Sequence, residues 1–150
     1  MLRSILIGLV AGQRAMTPLA VVAGAARSGR LPDGALARDL LAHPLVASGA
    51  VALAAAEMAG DKMASAPDRI VLPGLIARTA TAGLTGAVLA PPDRRKAAAA
   101  LAVATAIAAS YVGWSLRMRA IPRFGRVATG FVEDAMVLGA GLAITQSATR

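Results

Sequence analysis

The stretch SILIGLVAGQRAMTPLAVVAGAA (Ser4 to Ala26) decides how this chain is read. It is long enough to cross about 30 Å of hydrocarbon, which takes about 20 apolar residues in a helix, yet Arg14 stands near its middle. A guanidinium at that depth is costly unless it faces protein or water, so it marks a polar interior and a functional candidate. A second stretch, IVLPGLIARTATAGLTGAVLA (Ile70 to Ala90), has the same arrangement: Thr81 follows Arg78 at three residues, as Thr17 follows Arg14.

Composition supports a membrane reading. Of 150 residues, 57% are hydrophobic, 3% aromatic and 16% charged, and the mean hydropathy is +0.63, above ordinary globular usage. Much of the apolar content is alanine, which contributes little transfer free energy, so a soluble helical bundle is the competing reading. The absence of cysteine excludes disulfides, thiolate metal sites and cysteine nucleophiles. The net charge of +8 comes from basic residues in short connections, and Tyr111, Trp114, Phe124 and Phe131 are the only aromatics. That excludes a stacking platform for nucleic acid and points to anionic lipid headgroups as the partner. The opening MLRSILIGLV is similar to a signal peptide, but its apolar run continues through Arg14 and Pro18 to Ala26. That is longer than a signal h-region, so a retained first helix is expected.

Five apolar segments follow: Ser4 to Ala26, Pro44 to Gly60, Ile70 to Ala90, Ala97 to Leu116 and Val127 to Thr145. None alternates with a period of two, and glycine or proline with charge punctuates the gaps, so an all-α membrane protein with about five transmembrane helices is expected. The gaps are ARSGRLPDG (Ala26 to Gly34), APDR (Ala66 to Arg69), PPDRRK (Pro91 to Lys96) and RMRAIPRFGR (Arg117 to Arg126). Gly34 to Ala42 reads as a brief interfacial helix, with Leu36, Leu40 and Leu41 toward lipid. Aligning GLVAGQRAMT (Gly8 to Thr17) with GLIARTAT (Gly74 to Thr81) gives a weak internal repeat of two-span parallel units. With the N-terminus on side A, Arg3, Lys62, Arg69, Arg117, Arg119, Arg123 and Arg126 face Arg27, Arg30, Arg38, Arg94, Arg95, Lys96 and Arg150 on side B. The basic residues balance, so the positive-inside rule does not orient the chain.

At 1.5 Å per residue, Arg14 and Arg78 fall about 2 to 3 Å from their helix centres, and Glu57, Asp61, Glu133 and Asp134 lie toward the same side. Charges persist in hydrocarbon when paired or wet, so this convergence implies a polar chamber. In it Arg14 and Arg78 offer forked donors to a carboxylate or phosphate, Thr17 and Thr81 add hydroxyls, and Glu57 is the candidate proton-titrating acid. Pro18 frees a carbonyl within the first helix, and Gly12 belongs to a spacing that allows close helix approach. Glu133 and Asp134 are adjacent and point about 100° apart, so one of the two is expected to face inward. Lone His43 beside Pro44 reads as a headgroup-level residue, not a metal ligand. The bland alternative is that these charges are structural ion pairs fixing helix register.

DGALAR (Asp33 to Arg38) looks like the start of the DGxxAR signature of CDP-alcohol phosphotransferases, which hold divalent metal with two aspartates four apart. Here Glu57 and Asp61 have that spacing, but the first is glutamate, the gap from Arg38 is longer, and Leu53 replaces the glycine. A metal-dependent lipid-phosphate enzyme is therefore the least favoured reading, and no enzyme, metal or cofactor is expected.

GQRAMTP (Gly12 to Pro18), EMAGDK (Glu57 to Lys62) followed by APDR, the second arginine segment and the late Glu133–Asp134 pair together resemble the domain of unknown function 4126 family of small bacterial integral membrane proteins. The resemblance covers most of the chain and implies a multi-pass protein of the bacterial inner (cytoplasmic) membrane. It gives importance to Gly12, Arg14, Pro18, Glu57, Asp61, Lys62, Arg78, Glu133 and Asp134. The resulting expectation is a small transporter or channel that moves an ion or small anionic solute through an arginine and carboxylate chamber. A homo-oligomer is expected because a monomer this short has few helices to enclose a pathway. The rival is a non-transporting scaffold or lipid-binding subunit.

Overall fold

Proline placement sets where three of the helices begin. Pro18 is the second residue of α2 (Thr17–Arg27), Pro44 the first of α4 (Pro44–Gly60) and Pro73 the second of α5 (Leu72–Val88). These are positions where a missing N–H costs nothing. The computed structural model describes residues 1–32, 34–63 and 70–146. Asp33, the APDR segment with Arg69, and Arg150 lie outside the described residues. The remaining helices are α1 (Leu2–Gln13), α3 (Arg38–Ala42), α6 (Arg95–Phe124), entered from a 3-10 turn at Pro92–Arg94, and α7 (Arg126–Gln146). The described residues are all-α, without strands.

The first stretch corrects the expectation of one helix over Ser4 to Ala26. Arg14 is extended (φ −139, ψ 120) and ends α1, and α2 starts at Thr17. A proline ring collides with the carbonyl four residues back in a continuous helix, and four residues before Pro18 stands Arg14. Pro18 therefore opens a new helix instead of freeing a carbonyl inside an old one.

Contacts along the helices give their directions. A side chain added at Gly8 would meet Ala102 and one at Gly12 would meet Ala106 and Ala109, so α1 runs parallel to α6. Gly86 lies against Ala98 and Ala102, and Gly83 against Val103, so α5 is antiparallel to α6. Arg14 meets Asp134 while Gly141 meets Val21, so α2 runs parallel to α7. Arg117 reaches Glu133 across the α6–α7 connection, so α7 is antiparallel to α6. It follows that α1 and α2 are antiparallel, a helical hairpin with Arg14 at its tip. Met1 and Arg27 share one end of the molecule, where Arg27 Nη1 donates to Ala42 O at 3.4 Å and Arg95 Nη2 donates to Gly34 O. The hairpin tip, the end of α4 and the start of α7 share the other, called here the charged end.

These directions also bear on the internal repeat. Arg78 lies inside continuous α5 whereas Arg14 lies at a break, and α1 and α5 run in opposite senses. The two arginine segments are therefore not parallel equivalents. The α6 stripe Ala98, Ala102, Ala106, Ala109, Ser110 and Gly113 is buried, and its small side chains let α1 and α5 approach closely. Leu41, expected toward lipid, is instead 3% exposed and packs in the core.

The fourth apolar segment runs further than expected. α6 spans 30 residues and continues past Leu116 through Pro122 to Phe124, where Gly125 stops it at φ +79. Pro122 sits in the final turn, where the interrupted hydrogen bond is a terminal one. Two helical segments, Pro92–Phe124 and Arg126–Gln146, are long and apolar enough to cross a membrane; Leu2–Gln13 and Pro44–Gly60 are apolar but shorter. Large apolar side chains stand exposed along α7, among them Phe131, Val132 and Met136 at 62%, 62% and 69%.

Candidate functional site

The site is built at the hairpin tip. Breaking the helix at Arg14 leaves the N–H groups of Ala15 and Met16, between α1 and α2, without partners in either helix. Glu57, one turn from the end of α4, supplies them: its two carboxylate oxygens accept from Ala15 N and Met16 N, each at 2.8 Å. A carboxylate there also meets the positive end of the α2 dipole. Asp61 lies four residues on, on the same face of α4, and takes the tip's side chain as Glu57 takes its backbone. Arg14 Nη2 donates to Asp61 Oδ2 at 2.8 Å, and Arg14 Nε donates to Asp134 Oδ1 at 2.8 Å. Arg14 is 1% exposed, so both pairs form away from solvent.

Three more groups close the cluster. Arg117 Nη1 reaches Asp61 Oδ2 at 2.7 Å and Glu133 Oε2 at 2.9 Å, and its Nη2 donates to the Asp61 carbonyl at 3.3 Å. Lys62 Nζ donates to Asp134 Oδ2 and to Met58 O, and lies 4.5 Å from the Phe131 ring centroid. Arg14, Lys62 and Arg117 thus face Asp61, Glu133 and Asp134, while Glu57 is answered by backbone N–H groups. Each of the three cations has a carboxylate partner and the fourth carboxylate, Glu57, is held by backbone dipoles, the condition under which buried charges persist. Any anion entering it has to displace a carboxylate or arrive as one is protonated.

The structure therefore brings together Arg14, Glu57, Asp61, Glu133 and Asp134 of the expected residues. Both Glu133 and Asp134 take part, where one was expected to face inward: they meet different cations, Arg117 from α6 and Arg14 from the hairpin. Arg78 is 5% exposed, and the register of α5 on α6 sets it near the level of Ser110 and hence of Gly12, to which Ser110 Oγ donates at 3.1 Å. Thr81 Oγ1 donates back to Ala77 O at 3.0 Å and is committed to its own helix. Thr17 Oγ1 is buried with no hydrogen-bond partner among the described residues. Gly12 is a close contact: an added Cβ would stand 2.5 Å from Ala109 Cβ. His43 caps α4, its Nδ1 accepting from Leu45 N at 3.3 Å.

Arg117 was missed because Pro122 and Gly125 made its segment read as a loop. The signal was the stripe itself: Arg117 follows Gly113 and Ser110 at four and seven residues, on the same buried face. Lys62, to which the family resemblance gives importance, is a counter-charge of Asp134. Beyond the cluster, α6 and α7 run on and leave a cleft of about 670 Å³ between them, floored by Gln13, Arg117 and Glu133. Among the described residues no group of three or more histidine or carboxylate side chains is placed to hold a metal ion. Comparison with protein-family models, with curated proteins and with solved structures finds no match to this chain.

Proposed function

We propose that this chain is a multi-pass inner-membrane protein that moves a small ion or anionic solute past the charge cluster at the tip of the α1–α2 hairpin, working as a homo-oligomer. The observation that carries the reading is the broken first stretch. Non-helical backbone at membrane depth is tolerated only when buried in protein or lining a wet cavity, and transporters place discontinuous helices at their substrate sites. Here the break carries an arginine whose two counter-ions come from two other helices, α4 and α7. Entry of an anion in exchange for a carboxylate, or together with a proton on Asp61 or Asp134, would loosen the tip from either helix. The resemblance to the domain of unknown function 4126 family fits a multi-pass architecture and adds no substrate.

One specific observation favours a second reading, a membrane scaffold whose charges lock its helices. The cations of the cluster are matched by internal carboxylates, which is also what a purely structural lock requires. The two readings separate on Asp134→Asn, which keeps the side-chain volume and removes one charge. Purified variant and parent protein are reconstituted into liposomes, and flux of chloride, phosphate, small carboxylates and protons is followed beside oligomer size. Altered flux with an intact assembly supports transport. Loss of assembly, or no flux of any of these solutes in the parent protein, rejects it in favour of the scaffold.

A further inference from the structure

We infer that the cleft between the outer arms of α6 and α7 is a binding site for an anionic phospholipid, with one acyl chain in the cleft and the phosphate at the arginines on its rim. The cleft walls are apolar: Leu116, Ala120 and Phe124 of α6 face Ala128, Val132 and Met136 of α7. Leu116 and Met136 are 59% and 69% exposed, so the cleft is open along its side and its walls stand uncovered. A volume of about 670 Å³ lies in the range of small-molecule sites. From Val112 at its inner end to Arg123 at its rim, α6 rises about 17 Å, close to the half-thickness of about 15 Å of a bilayer's hydrocarbon. A single acyl chain therefore fills it end to end.

Charge at the rim selects the headgroup. Arg123 follows Leu116 at seven residues on the cleft-facing side of α6, with Arg119 beside that face, and Arg126 precedes Thr129 and Glu133 at three and seven residues on the cleft-facing side of α7. Unlike Arg117, these three arginines have no ion pair among the described residues, and Arg119 and Arg123 are exposed. Three cations at the mouth of an apolar cleft complement a phosphodiester above an acyl tail. A second copy of this chain would bring its own arginines to the same rim, a like-charge contact that disfavours it as the occupant.

The site rests on the membrane placement of α6 and α7 and not on transport. Trp114 is the chain's only tryptophan and does not line the cleft, so Trp114→Phe with Leu116→Trp sets a single tryptophan in the cleft wall, where it reports occupancy. The full chain with this reporter is reconstituted into phosphatidylcholine vesicles carrying a minor fraction of chain-brominated phosphatidylglycerol or phosphatidylcholine, and quenching of its single tryptophan is measured. The expected result is stronger quenching by the anionic lipid, with the preference weakened about fivefold for each arginine replaced in Arg123→Gln and Arg126→Gln. Ala120→Leu with Ala128→Leu, which fills the cleft and leaves the rim intact, should also abolish it; helical circular dichroism verifies folding. Equal quenching by both lipids, or a preference unchanged in the variants, overturns the site while leaving the membrane placement standing. No quenching by either lipid overturns both. A dimer that shields the cleft tryptophan and disappears in the filled variant assigns the cleft to a second copy and overturns the lipid.

Discussion

Arg14 and Glu57 fix the same three-residue break by different means, one through its side chain and one through backbone donors. Glu57→Ala leaves the Ala15 and Met16 N–H groups unpaired and should lower stability by about 2 to 4 kcal/mol, read as a lower unfolding midpoint in detergent. Arg14→Lys keeps the charge but offers a single nitrogen where Nε and Nη2 now serve Asp134 and Asp61. The loss should be about 3 kcal/mol, measured the same way, and a variant as stable as the parent would show that the fork is not needed. Arg14 was legible because one charge in an apolar run is conspicuous. Arg117 was not, because its charge sat among other charges beside a proline, and only the small-residue stripe leading to it gave its direction. Glu57 was found, but as a titrating acid. Its role as a helix cap required knowing that a helix begins at Thr17.

For the helices, what the sequence hid was a reversal. A hydropathy window sees the same apolar run whether the chain crosses once or turns back, and α1 and α2 rise only about 18 Å and 17 Å. The clue was Thr17–Pro18, a helix-start pair, with a proline ring aimed at the carbonyl of Arg14. Small residues in the α1–α6 seam were legible as close-packing positions, and their partners were not. Gly12→Ala would place a methyl 2.5 Å from Ala109 Cβ and 2.7 Å from Ala106 O, pushing α1 away at a cost of about 1 to 3 kcal/mol. Gly139→Ala, where nothing lies within 4 Å, should be neutral or slightly stabilising. Thermal unfolding of the two variants side by side tests the seam, and equal midpoints would contradict it.

Across the whole molecule, the hairpin changes the charge count that composition left tied. Arg3 moves to the end that also holds Arg27, Arg30, Arg38, Arg94, Arg95 and Lys96, whereas at the charged end Lys62 and Arg117 are consumed in the cluster and Arg119, Arg123 and Arg126 remain. In the membrane reading, the excess makes the end opposite the cluster cytoplasmic. Met1 and Gln146 also share that end, whereas five crossings would separate them. Because the chain has no cysteine, single-cysteine probes are unambiguous. Ser28→Cys should react with an impermeant maleimide only after permeabilisation, and Val127→Cys should react in intact cells. Tags at the two termini should report the same side; tags on opposite sides would reject the hairpin.

The separation between Arg14 and its counter-ions also bears on biosynthesis. Asp61 follows it by 47 residues and Asp134 by 120. A ribosome therefore exposes the guanidinium well before the carboxylates that neutralise it. In the membrane reading, the opening hairpin, made first, is neutralised only when the last helix has been delivered. In that reading, chains truncated before residue 134 keep the apolar Pro92–Phe124 segment and stay membrane-bound, but their opening hairpin should be open to protease, whereas chains that include α7 should protect it.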